Sequence, residues 1–269
     1  MKTYSFNWRA EAVKIRAFAF KNWIMTKRNI FTLFEMLFWP VVGFLSVGLL
    51  AEFAALQPSM KAFILVGVVS MGALQVCQLD VAYALLYDVW SKALKHGFIA
   101  PVGIRHLLLG AMMIGMIRGS MVFCFLAAAS LVLFGFNFAG SGLGPLVLFV
   151  GGLFLNAAAV GILVCILVLV FGNRAEVAAW SMVSLMLLVC GIYYPVSILP
   201  AGVQAIARCI PLTYLLEYFR ECFGFAPAGT HVLLKAYAMA AAYLGLEILA
   251  LKAALARAKR TGILLKLSE

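Results

Sequence analysis

The sequence predicts an all-α integral membrane protein, and three observations predict it. Of 269 residues, 65% are hydrophobic and only 12% charged, with a mean hydropathy of +1.07. A soluble domain leaves far more of its chain polar, because its surface faces water. Second, the apolar residues fall into six runs, each long enough to cross a hydrocarbon core, which takes roughly 20 residues. Third, Lys and Arg gather between those runs rather than along one face, which sets aside a nucleic-acid reading of the net charge of +11.

The runs are residues 31–55, 62–86, 107–135, 144–171, 177–198 and 232–256. The third is long for a perpendicular span, so Leu107 to Ile117 is expected to lie at the interface or the helix to tilt. With the N-terminus inside, inner segments hold sixteen Lys and Arg and outer segments four, Lys61, Arg208, Arg220 and Lys235. That asymmetry places both ends in the cytoplasm, in the inner membrane. About thirty residues with seven Lys and Arg precede the first run, and no small-residue cleavage site follows it, so no signal peptide is expected. Residues 7–28 read as an amphipathic helix on the membrane surface, within a cytoplasmic 1–30 segment. Trp8, Ala12, Ile15 and Ala19 follow helical spacing, and Lys14, Lys21 and Arg28 form a basic stripe. No internal repeat is evident, which counts against transporter folds built from repeats.

Candidate sites for bound chemistry are few. Four of the six Cys (Cys77, Cys124, Cys165, Cys190) lie in apolar runs and no CxxC occurs; His96, His106 and His231 have no ligand-like spacing. No metal, cofactor or nucleic acid is expected in this chain. The aromatic wealth suits core packing and lipid contact before it suits a substrate path.

Two segments between the runs carry more. Residues 87–101 predict a short helix ended by Pro101, with Trp90, Leu94 and Phe98 on one side and Asp88, Lys92 and Lys95 on another. Such a helix docks into a cytoplasmic partner or rests against lipid, and its residues alone leave both readings open. After the fifth run, Pro195, Pro200 and Pro211 cut an apolar stretch into pieces too short to cross. A re-entrant outer hairpin over 198–222 is expected, with helices at 201–210 and 212–222, and it must be buried in protein or line a wet cavity. Glu217 and Arg220, three apart, would pair on one face, and Cys209 and Cys222 would lie outside the inner half of the bilayer. Glu35, Asp80, Arg118 and Glu247 fall within the runs, where a charge costs at least about 2.5–3.5 kcal/mol unless paired or wetted. Arg118 bridging Asp80 or Glu35 is the plain reading; Glu247 has no obvious partner.

These residues resemble the membrane subunits of type-2 ABC exporters. The similarity runs in order through the chain: Trp39-Pro40 opening the first run after a basic helix, the Asp88–Pro101 loop followed by Gly110, and Gly191-Ile192-Tyr193-Tyr194-Pro195-Val196-Ser197-Ile198-Leu199-Pro200. Pro211-Leu212-Thr213, Glu217 and Arg220 complete it. The resemblance implies a permease domain over 1–269 that dimerises with a second permease subunit, identical or not. It also implies two separate ATP-binding cassette subunits, which hold ATP and Mg, docked on residues 88–101. The implied cargo is a lipid-linked glycan, a lipid or a hydrophobic small molecule, and the implied outer gate is Tyr193, Tyr194, Pro195, Pro200, Pro211, Glu217 and Arg220. No G-x-x-x-x-G-K-[ST] occurs, so the chain is expected to have no ATPase of its own. The rivals are an ion-coupled carrier using Glu247 or Asp80, and an intramembrane lipid-processing enzyme. The latter lacks an HExxH, a GxSxG or a His/Asp cluster.

Overall fold

The computed structural model describes residues 8–28, 30–91, 102–227 and 229–261. Among these the protein is all-α, with nine α-helices. They are α1 Trp8–Arg28, α2 Ile30–Phe53, α3 Pro58–Trp90, α4 Ile104–Phe134, α5 Leu143–Phe171, α6 Glu176–Val189, α7 Ala201–Arg208, α8 Pro211–Glu221 and α9 Val232–Thr261. Five (α2, α3, α4, α5 and α9) are long and apolar enough to cross a membrane, so the chain is a multi-pass helical membrane protein with five candidate spans.

Helix α3 is the hub. In its most apolar stretch 78% of residues are buried, against 22% in α2 and 17% in α9, which therefore face outward. Without a hydrophobic drive between helices in lipid, association depends on close packing, and small residues allow it. Gly115 and Gly119 of α4 sit so near α3 that a Cβ would lie 3.1 Å from the Cys77 carbonyl and 3.0 Å from that of Ala73. On the other side of α3, a Cβ at Gly161 of α5 would lie 2.6 Å from that of Val81.

The long spans follow the apolar runs, and the differences have local causes. Helix α6 stops at Val189, 14 residues long, where a fifth run to 198 was expected. Gly191 takes φ +72°, a conformation that only glycine adopts freely, and turns the chain before Pro195. Helix α3 continues to Trp90, so Asp88 and Trp90 form its last turn rather than a separate loop helix. Mutual ring contacts of Tyr83, Tyr87 and Trp90, with centroids 5.4–5.6 Å apart, hold that turn. Lys92, Leu94, Lys95, Phe98 and Pro101 lie outside the described residues. The hairpin helices α7 and α8 fall within two residues of their expected limits.

The bundle has two ends. One gathers α1, the last turn of α3, the start of α4 and the tail of α9, and is rich in Lys and Arg. The other gathers the α2–α3 turn, where Lys61 pairs with Glu52 at 2.7 Å, the α4–α5 turn and α7–α8.

Candidate functional site

At the basic end α1 is bound into the bundle rather than lying free. A Cβ at Gly110 of α4 would meet the Phe18 Cβ at 2.7 Å and the Ala19 nitrogen at 2.8 Å, so the two helices touch along their backbones. The expected Trp8–Ala12–Ile15–Ala19 stripe is split: Trp8 and Ala12 are exposed while Ala19 is buried. Glu11 is the hub of the contact. Its carboxylate takes Lys14 Nζ at 2.8 Å, Arg105 Nη2 at 2.5 Å and His106 Nε2 at 2.8 Å. The Gly103 N–H donates to His106 Nδ1 at 2.8 Å, so the ring proton sits on Nε2 and is donated to Glu11. Hydrogen bonds from Lys14 and then His106, with the charges of Arg105 and Lys14, hold the Glu11 carboxyl down at about 2, from an ordinary 4.5. Two turns beyond Lys14, Lys21 Nζ meets Asp88 Oδ1 at 2.5 Å. The basic stripe thus spends Lys14 and Lys21 on carboxylates, and α1 grips both feet of the segment between α3 and α4.

Within the bundle near this end, Arg118 of α4 donates through Nη1 to Asp80 Oδ1 of α3 and through Nε to Met36 Sδ at 3.2 Å. Glu35 lies in α2, with its side chain outside the described residues. Glu247 is half-buried in α9, and its Oε2 has no hydrogen-bond partner among the described residues.

At the other end the three prolines build the hairpin. Pro200 caps α7, its carbonyl accepting from Val203 and Gln204 at 2.9 and 3.0 Å, and Pro211 starts α8, where a missing N–H costs nothing. The Thr213 hydroxyl donates to the Ala207 carbonyl at 2.8 Å and the Tyr214 hydroxyl to that of Arg208 at 3.0 Å, closing one helix on the other. Helix α7 buries only Ala207, whereas α8 buries Leu212, Leu215, Leu216 and Phe219 inside the bundle. Phe219 stacks on Phe149 of α5 with centroids 4.0 Å apart.

Arg220 anchors this hairpin, and it does so without Glu217. It is 3% exposed, and its guanidinium donates to the carbonyls of Gly191 (2.7 Å), Ile192 (2.9 Å) and Phe63 (3.0 Å) while lying 3.4 Å over the Phe63 ring. Glu217 and Arg220 form no hydrogen bond or ion pair among the described contacts. The turn at Gly191 points the Gly191 and Ile192 carbonyls into protein beside the Phe63 carbonyl of α3, and a planar five-donor group reaches all three. Gly67 of α3 makes room, since a Cβ there would lie 2.0 Å from the Ile192 carbonyl oxygen. Tyr193 and Tyr194 are half-buried, the Tyr194 hydroxyl donating to the Leu188 carbonyl at 2.6 Å, and Pro195 is exposed. Cys209 and Cys222 are exposed and free.

No family model matches the chain. Over 57 residues it is 46% identical to an uncharacterized protein of Archaeoglobus fulgidus, a stretch that makes up 21% of this chain and 89% of that one. The two are homologues over that stretch. The archaeal protein's description assigns no activity, so the relation brings none to this chain.

Several residues of the site were not singled out by sequence reasoning. Gly67, Glu11 and the carbonyl-binding role of Arg220 depend on distant neighbours, 28 to 157 positions away for Arg220 and, for the bonds Glu11 makes to α4, 94 to 95. Gly115 and Gly119 did carry a readable signal, the small-xxx-small spacing of close helix contacts.

Proposed function

We propose that this chain is the permease subunit of an ATP-driven exporter, working as a dimer with two ATP-binding subunits at its basic end. In this reading α6 and the turn after it form a sixth span, and both chain ends and α1 lie in the cytoplasm. The hairpin α7–α8 enters the outer leaflet and returns, gating the exit. The observation that carries the reading is the hairpin. The Gly191–Pro200 and Pro211–Arg220 segments that resemble the exporter family form a broken helical pair, buried by α8 and pinned by Arg220. Interrupted backbone at membrane depth needs such cover. The basic end supports the energy input, because α1 bonds both feet of the segment expected to receive the ATPase, at Asp88 and at Arg105 and His106.

The test is co-purification of the permease with an ATP-binding cassette subunit encoded beside it. Replacing Trp90 and Leu94 with Ser should release that subunit and abolish transport-stimulated hydrolysis while the permease stays inserted. Unchanged association and stimulation would refute docking there. One observation favours a second reading, an ion-coupled carrier: a carboxylate oxygen of Glu247, inside a candidate span, has no partner among the described residues. Glu247→Gln would abolish transport by such a carrier and leave ATP-driven export working.

A further inference from the structure

Between α1, α2, α3, α4 and α6 lies a crevice in two lobes of about 160 and 80 Å³ that share Asp80, Tyr87 and Arg118. Trp39, Tyr83, Tyr87 and Trp180 wall the larger lobe with aromatic rings; Asn22 and Thr26 of α1 wall the smaller. Trp39 is 53% exposed and Trp180 40%, so the mouth opens sideways between α2 and α6. Asp80 lies about 15 Å along α3 from Trp90, roughly half the depth of the hydrocarbon core. Trp180 also lines a shallow groove of about 630 Å³ along α6, which begins at Glu176 and Val177 and runs past Ser181 and Ser184 to Leu185 and Leu188. A polar pocket and an apolar groove therefore meet at one side chain.

The polar pocket is incomplete in two complementary ways. Asp80 gives Oδ1 to Arg118, and its Oδ2 is enclosed with no donor among the described residues. The two-fold torsion of a carboxylate is soft, so a modest turn presents that oxygen to the crevice. Arg118 uses Nε and Nη1, and its Nη2 has no acceptor among the described residues. One empty acceptor and one empty donor stand beside a pair whose charges already cancel. A lone third charge is costly at this depth, whereas a ligand carrying both signs adds none. Its cation would also meet aromatic faces, of which Trp is the strongest.

We propose that the crevice binds the zwitterionic head of a membrane amphiphile, an ammonium bearing N–H donors toward Asp80 and a phosphate toward Arg118, with its chain along α6. That this amphiphile is cargo rests on the exporter reading; that it binds does not. The same net-neutral head exists in water as glycerophosphoethanolamine, and the two sources are told apart by the groove.

The experiment is equilibrium binding, followed by tryptophan fluorescence, to the purified permease without any ATPase. The probes are short-chain phosphatidylethanolamine, phosphatidylcholine, phosphatidylglycerol and free glycerophosphoethanolamine. The ethanolamine lipid should bind at least tenfold more tightly than the choline lipid, which lacks N–H donors, and than the glycerol lipid, which lacks the cation. The charge-neutral double variant D80N/R118Q should erase that preference. Trp180→Leu, on an exposed wall, should weaken the lipid at least fivefold and free glycerophosphoethanolamine less, which keeps the test alive should the double variant misfold. Equal binding of the three lipids, or a preference kept by D80N/R118Q, would overturn the proposal. Free glycerophosphoethanolamine binding as tightly as the lipid would overturn the amphiphile. Selective binding without any ATP-driven transport would sink the exporter reading and leave the site.

Discussion

The two ends of this bundle solve the same problem, holding an interrupted segment against the core, with opposite chemistry. At the basic end side-chain charges do it: Glu11 gathers Lys14, Arg105 and His106, and Lys21 meets Asp88. At the hairpin end backbone carbonyls do it, converging on a guanidinium under an aromatic ring. Partly exposed ion pairs are weak and exchangeable, whereas a buried charge bonded to carbonyls has no substitute. The difference implies a fixed frame at one end and a movable strap at the other.

The largest effect should come from Arg220. Arg220→Leu removes the donor to the buried Gly191 and Ile192 carbonyls and a further bond to that of Phe63, and loss of about 3 kcal/mol is expected, read as a lower unfolding midpoint in detergent. Arg220→Lys should recover less than half, because an ammonium cannot span three carbonyls or stack on Phe63. A fully stable Arg220→Leu would erase the contrast between the ends.

Next come two glycines. Gly67→Ala puts a methyl 2.0 Å from the Ile192 carbonyl oxygen, which Arg220 holds in the turn after α6, and about 1–3 kcal/mol should be lost. Gly110→Ala meets α1 at 2.7–2.9 Å, and α1 can lift away. Faster proteolysis or hydrogen exchange confined to α1, with the global midpoint nearly unchanged, is expected there. Equal global destabilisation by both would show that α1 is as fixed as the hairpin.

Reversal at the strap should be gentler still. Lys21→Asp or Asp88→Lys alone should lower stability by less than about 1 kcal/mol, and the double swap should restore it. A double-mutant cycle with no coupling would mean the 2.5 Å contact contributes nothing. The smallest effect concerns pH. Because the Glu11 carboxyl is held at about 2 against an ordinary 4.5, its hold on α1 is complete above pH 4.5 and fades as pH falls toward 2. Exchange protection of α1 should follow that window in the native protein and lose its pH dependence in Glu11→Gln.

The sequence made the spans legible because hydropathy reports where chain meets lipid. Prolines 195, 200 and 211 placed the hairpin because a missing N–H acts locally, whatever surrounds it. What stayed hidden was pairing. Arg220 was read against Glu217 because both lie on one helix, while its real acceptors come from α3 and the turn after α6. Likewise α1 carries a basic stripe that reads as a headgroup-binding face; Glu11 meets Lys14 within the helix, and only the fold brings Asp88 to Lys21 and Arg105 and His106 to Glu11. The early end of helix α6 stayed hidden because Gly191 lies within the expected apolar run, and its positive φ is set by the turn it makes.

In the proposed exporter reading, energy enters at the basic end as ATP and cargo leaves past the hairpin. Transport by proteoliposomes of this chain with the proposed ATP-binding subunit, nucleotide supplied on one face only, tests that reading most directly. Export of labelled amphiphile is expected only with ATP on the face that carries α1, with none from the permease alone. Transport by the permease alone, driven by a pH or sodium gradient and indifferent to ATP, would contradict it.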